Sequence, residues 1–207
     1  MKEKEKDNRL SNKYMMIKLL GSGSFGEVYL AEDRIKKKYY AAKVEDKKKA
    51  ERLYNEYKIY NRLQKKNMKG IPKIYSYCKT KNYNILFMEL LGKSLEDKYI
   101  ELNKKIEVSK IILLGIKIIK ILKELHNNGY IHRDIKPNNF MFGYENSEDV
   151  YIMDFGLSKK YKINDKHIKF KSDRSLIGTA RYASINMHMG MEPSRRDDLE
   201  SVGYMLV

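Results

Sequence analysis

Residues 14–43 alternate apolar and polar side chains and are broken by Gly21, Gly23 and Gly26, a pattern that reads as strand, tight turn and strand, with a third strand ending in YYAAKVE. The next segment changes period. Leu53, Tyr57, Tyr60 and Leu63 recur at helical spacing and predict a helix over 49–64, and two further strand-like runs follow at 74–77 and 83–90. One helix against a small sheet is therefore expected. After Gly92 the pattern becomes helical, at 94–100 and along an amphipathic run over 109–127 whose GY ending at Gly129 is a C-cap signal. The fold class is α+β, with a boundary near Leu91 and Gly92.

A chain of 207 residues with 42% hydrophobic content can bury a sizeable core. Its 43 Lys and Arg against 27 Asp and Glu leave a formal charge of +16, which favours anionic partners, although most of these lysines read as solvated surface. A nucleic-acid binder has only that charge in its favour, since the sequence carries no recognised nucleic-acid motif. The single Cys78 cannot form an internal disulfide and fits a reducing cytoplasmic or nuclear compartment. The charged tail over 1–13 has no apolar stretch and reads as a flexible segment rather than a signal or anchor. The most apolar run, 111–122, is interrupted by Lys117 and Lys120, too short to span a bilayer, and expected to be a buried helix.

Within LLGSGSFGEVYLAE the residues Leu20, Gly21, Ser22, Gly23, Ser24, Phe25, Gly26 and Val28 form GxGxxGxV between two strands, where the glycines let backbone amides approach phosphate oxygens. Alone, the motif is equally a simple glycine hairpin. A dinucleotide fold needs a helix directly after the glycines, and here the chain continues as strand. Lys43 closes the next strand and could reach phosphates if a carboxylate holds it; Glu56 on the expected helix is the candidate, or else a solvated surface glutamate.

HRDIKPNNF matches the catalytic loop of protein kinases in residue type and spacing, with Asn139 five positions after Asp134. In that role Asp134 accepts a hydrogen bond from a substrate hydroxyl, Lys136 offsets charge on the transferred phosphoryl group, and Asn139 supplies an oxygen to Mg2+. MDFGLSKK follows, and its Asp154 is the second candidate for the metal.

The chain thus resembles the protein kinase superfamily and, from residue 14 to its end, the casein kinase 1 family. The narrower resemblance rests on MELLGKSLED, on HRDIKPNNF with DFGLSKKY, and on GTARYASINMHMGMEPSRRDDLESVGYML, with Ser184, Ile185 and Asn186 where most kinases carry APE. It implies a two-lobed kinase fold: a small β-rich N-lobe with one helix and a hinge over 14–91, and a helical C-lobe over 92–207, left incomplete because the chain stops inside the expected central helix. It further implies ATP and Mg2+ as cofactors, adenine pairing by the hinge at Glu89 and Leu91, Met88 guarding the inner pocket, and Ala41, Val28 and Met141 around the purine. Thr179 is expected beside Asp134 and Lys136, and Asp198 is expected to tie the catalytic loop to a core helix. Lys136 in this position marks serine or threonine specificity, since tyrosine-specific relatives usually have AAR there.

Family members favour acidic or already phosphorylated substrates, for which Lys171, Arg174 and Arg181 are the candidate anion anchor, with general basic surface as the bland alternative. The activation segment over 154–186 contains Ser172, Ser175 and Thr179, yet the resemblance implies activity without phosphorylation there. Lys169 stands where relatives usually have proline and Pro193 where glutamine is usual, and the loop over 160–167 is short. The expected protein is a monomeric serine/threonine kinase acting on acidic or primed proteins, with no membrane span and no specific nucleic acid. The alternative is a module of the same fold that binds nucleotide or scaffolds without turnover.

Overall fold

A computed structural model of the chain describes residues 13–23, 26–48 and 52–207. The expected tail before residue 13, the start of the 49–64 helix, and Ser24 and Phe25 at the glycine-loop tip lie outside the described residues. The chain divides into two compact units, one running to Asn61 and resuming over Pro72–Leu91, the other formed by Arg62–Ile71 and Gly92–Val207.

The first unit holds β1 (Tyr14–Gly23), β2 (Gly26–Asp33), β3 (Tyr39–Asp46), α1 (Arg52–Lys65), β4 (Ile74–Lys79) and β5 (Tyr83–Met88). The strands form an antiparallel sheet in the order β1-β2-β3-β5-β4. Side chains alternate across a strand, and β3 uses both faces. Tyr40, Ala42 and Val44 join Tyr14, Met16, Ala31, Ile85 and Phe87 in the core, where the Tyr14 and Phe87 rings stack at 3.9 Å. Lys43 and Glu45 point to the opposite face, and both reach α1.

Glu45 is buried, and its Oε1 accepts the Arg52 and Leu53 amides at 2.9 and 3.0 Å while Oε2 accepts from Asn84 Nδ2 at 3.1 Å. A strand carboxylate therefore satisfies amide donors that the first turn of a helix cannot pair internally, at the positive end of the helix dipole.

The second unit contains α2 (Leu95–Glu101), α3 (Val108–Asn127), β6 (Tyr130–Ile131), β7 (Phe140–Phe142), β8 (Val150–Ile152), β9 (Lys159–Lys160), β10 (Lys162–Ile163), β11 (Lys166–His167), α4 (Ile185–His188) and α5 (Arg195–Leu206). Capping boxes start α2, through Ser94 and Asp97, and α5, through Ser194 and Asp197. As the GY signal anticipates, α3 ends at a C-cap on Asn128, with Gly129 in the left-handed region at φ +84°. β6 pairs with β9 and β7 with β8, which brackets the loop from His132 to Asn139.

One expectation changes. The apolar run of α3 is not buried all round: Ile118, Ile121, Leu122 and Leu125 face inward, whereas Ile112, Leu113, Ile116 and Ile119 are exposed. The helix has packing partners on one side only among the described residues, and the same holds for α5, where Val202 is buried and Leu199 and Tyr204 are exposed. The loop after Lys160, brief as expected, is built as a hairpin, β10–β11, turning on Asn164 and Asp165, both at positive φ. No helix of the described residues is long and apolar enough to cross a membrane.

The Glu45 contacts yield a stability prediction. Glu45→Ala is expected to cost about 2–3 kcal/mol, from a lost helix cap plus a newly unpaired buried amide. Glu107→Ala, which removes only an exposed pair with Lys110, should change stability by less than about 0.5 kcal/mol. Urea unfolding of both variants against the parent checks the difference.

Candidate active site

The loop between β6 and β7 is fixed from beneath by Asp198 in the first turn of α5. Its Oδ2 accepts the His132 amide at 2.8 Å and the His126 Nε2 proton at 2.8 Å, and its Oδ1 accepts the Arg133 amide at 2.9 Å. A carboxylate this buried needs such donors to offset its desolvation. The loop backbone is bent accordingly, with Arg133 at φ +70°, a region costly for a branched or long side chain. His132 locks the bend: Nε2 donates to the Met153 carbonyl at 2.9 Å and Nδ1 accepts the Asp134 amide at 3.3 Å, which together require the Nε2–H tautomer.

Above this support Asp134, Lys136 and Thr179 close a ring of side chains, and Asn139 joins it through Asp134. Asp134, 5% exposed, pairs through Oδ2 with Lys136 Nζ at 2.8 Å and accepts from Asn139 Nδ2 at 3.1 Å. Thr179 Oγ1 donates to Asp134 Oδ1 at 2.8 Å and accepts from Lys136 Nζ at 3.0 Å. Asn139 Nδ2 also donates to the Asp134 carbonyl at 2.7 Å. A carboxylate offers about four lone-pair sites, so three are engaged and one remains on Oδ1.

Gly178 keeps that oxygen approachable. It lies at φ +87°, and a Cβ there would stand 2.4 Å from the Arg133 carbonyl oxygen and 3.2 Å from Asp134 Oδ1. Asp154 follows β8 at φ +63° and caps the next turn through Gly156 N–H at 3.3 Å. The Met153 amide donates to the Asn139 carbonyl at 2.8 Å, which ties the residue before Asp154 to Asn139. Phe155 is buried edge-on to His132.

In the first unit Lys43 Nζ and Glu56 Oε2 form a buried ion pair at 2.7 Å. Each side chain of such a pair depends on the other, because removing one leaves an uncompensated buried charge.

The family model of the protein kinase domain matches residues 14–207. The chain belongs to the protein kinase family. Its α+β architecture, an antiparallel sheet unit followed by a helical one, is that of a protein kinase domain.

At the end of the β1–β2 pairing, Gly21, Ser22 and Gly23 pair with Val28, Glu27 and Gly26, and Leu20 is exposed. A Cβ on Gly21 or Gly23 would meet nothing within 4 Å, whereas one on Gly26, at φ +125°, would stand 2.3 Å from the Val44 carbonyl oxygen. Gly26 is thus required by packing and the other two leave open backbone. Ala41 lies opposite Met88, and Val28 lies opposite Lys43. Met88 and Leu91 are buried. Glu89 exchanges backbone and side-chain hydrogen bonds with Lys73. Met141 lies on β7 of the second unit, opposite Tyr151.

The expected anion anchor is not one free cluster. Lys171 and Arg174 line a concavity of about 370 Å³ that also includes Lys159 and Glu192, whereas Arg181 is not part of it and holds its guanidinium 5.5 Å from the Tyr182 ring. Arg174 Nε already donates to Glu192 Oε2 at 3.1 Å. Sequence reasoning passed over Glu45, His126 and Glu192. Glu45 was within reach of the period-2 rule, two residues from Lys43 on one strand face; the other two carry no local signal.

Gly178 should be intolerant of a side chain. Gly178→Ala is expected to cost about 2 kcal/mol through strain at positive φ. Gly203→Ala, in α5 with nothing within 4 Å of the added carbon, should instead stabilise by about 0.5–1 kcal/mol. Thermal unfolding of the two variants separates these outcomes.

Proposed function

We propose that this protein kinase transfers the γ-phosphoryl group of ATP to serine or threonine hydroxyls of acidic or already phosphorylated proteins. The observation that carries this is the closed ring of Asp134, Lys136 and Thr179, with Asn139 bonded to Asp134. Asp134 uses its remaining Oδ1 lone pair to accept the substrate hydroxyl and align its oxygen with the phosphorus. The oxygen–phosphorus bond forms as the bond to the β–γ bridging oxygen breaks; ADP leaves and the hydroxyl proton passes to Asp134. Thr179 keeps the carboxylate oriented, and Lys136 stabilises charge on the phosphoryl oxygens.

Asn139 commits Nδ2 to Asp134 and so has Oδ1 to offer; with the Asp154 carboxylate it makes an all-oxygen pair suited to Mg2+, which takes one or two carboxylates beside phosphates and water. Bound Mg2+ supplies charge neutralisation at the phosphates. Lys43, fixed by Glu56, is the cation for the α and β phosphates, and the open backbone at Gly21 and Gly23 suits close phosphate approach.

Serine/threonine specificity is supported by Lys136 together with its hydrogen bond to Thr179. The casein kinase 1-like sequence after Gly178 supports an acidic or primed substrate. Of the candidate anchors, Arg181 is the exposed guanidinium with no carboxylate partner among the described contacts, while Arg174 is engaged by Glu192.

Incubation with magnesium, labelled ATP and casein, beside Asp134→Asn, tests the reaction. Transfer by the parent, and a loss of at least about 10³-fold in the variant, is expected. Nucleotide binding without transfer by the parent contradicts it and favours the non-catalytic module. Arg181→Glu should reduce activity on a primed peptide more than on its unprimed counterpart; equal losses contradict the anchor.

A further inference from the structure

We propose that Glu192 is a built-in substitute for an activating phosphate: its carboxylate pairs with both Lys159 and Arg174 and so holds the segment carrying Thr179 against the catalytic loop. The role in turnover rests on the kinase function proposed above; the electrostatic role does not.

Kinases that require phosphorylation order this segment by adding an anion that pairs with arginines, including new pairs made only after modification. Here an anion is already present. Glu192 is 8% exposed, with Oε1 2.6 Å from Lys159 Nζ and Oε2 3.1 Å from Arg174 Nε. Arg133 contributes its charge to the same carboxylate while its Nε donates to the Leu157 carbonyl at 2.7 Å.

The two paired cations come from the two parts that must be joined. Lys159 on β9 lies opposite Ile131 on β6, next to the catalytic loop. Arg174 belongs to the activation segment. Two backbone bonds bring that segment to Glu192: Arg174 N–H donates to the Gly190 carbonyl and Glu192 N–H to the Lys171 carbonyl, each at 2.8 Å. The carboxylate then bridges from this short ladder to the catalytic-loop side.

The charges need one another. Burial alone would raise the Glu192 carboxyl, but the Lys159 hydrogen bond and charge, with Arg174 and Arg133, bring it below the ordinary glutamate value. Burial lowers the Arg133 guanidinium, and Glu192 with Asp198 opposes that. Without Glu192 the Lys159 and Arg174 cations would face each other with no anion between them in a partly desolvated pocket. A phosphorylated substrate must likewise displace Glu192 before it can use Arg174, which leaves Arg181 as the more available anchor.

Glu192→Gln tests the proposal in two ways. Its melting temperature should fall below the parent's and be raised by about 3–5 °C by inorganic phosphate over a chloride control of equal ionic strength, while the parent shifts by less than about 1 °C. Its kcat should drop about 10- to 100-fold with KM for ATP little changed, and phosphate should restore part of it. Equal phosphate responses in parent and variant overturn the proposal, whatever the activity. If the parent transfers no phosphate at all, the function proposed above fails and the melting experiment still decides this one. Should Glu192→Gln not fold, Glu192→Gln with Arg174→Met, which removes anion and cation together, is expected to fold; failure of that pair also contradicts an electrostatic role.

Discussion

Asp198 accepts three hydrogen bonds in a position closed to water, from the His126 side chain and from the amides of His132 and Arg133. The donors lie on two elements of the second unit: His126 on α3, and His132 and Arg133 at the start of the bent loop after β6. The carboxylate's desolvation is offset only while all of them stay in place, so the loop cannot relax without stranding a buried charge. The left-handed backbone at Arg133 persists on that account, and it aims Asp134 at Lys136, Asn139 and Thr179. Asp197, one residue earlier, closes the α5 capping box and accepts from Ser184 Oγ at 2.6 Å, so the same helix turn also seats the start of α4.

The first unit applies the same device with the roles of strand and helix exchanged. On β3, Lys43 and Glu45 share a face, and each engages α1, one through Glu56 and the other through the first-turn amides. Two contacts at separate points fix both the position and the rotation of α1, which a lone Lys43–Glu56 pair could not do. Glu192 repeats the pattern between Lys159 on β9 and Arg174. Buried carboxylates with several partners thus recur where elements remote in sequence meet.

That recurrence also explains what the sequence made legible. The strands, α1 and α3 followed from periodicity, and HRDIKPNNF marked the candidate catalytic loop by its dense, fixed spacing. Thr179 and Asp198 were accessible only through family resemblance, because each acts across a gap of more than forty residues from the groups it touches. Glu192 and His126 had no local signature: their partners Lys159, Arg174 and Asp198 are neighbours only after folding. The expectation of a fully buried 111–122 helix erred because hydrophobicity alone does not say how many sides of a helix meet a partner. The β10–β11 hairpin was hidden in a polar run whose Asn164 and Asp165 supply the positive φ that its turn demands.

The strong positive charge is not spread idly over the active region. Lys43, Lys136, Lys159 and Arg174 are each held by a carboxylate, which converts long mobile cations into oriented ones. The central claim, that Asp198 holds the catalytic loop in its bent form, is tested most directly by residue-resolved amide hydrogen exchange on Asp198→Asn. The account predicts that the His132 and Arg133 amides, protected in the parent, exchange at least about tenfold faster in the variant while the β3 and β5 amides keep their protection. Unchanged protection at His132 and Arg133 would contradict it.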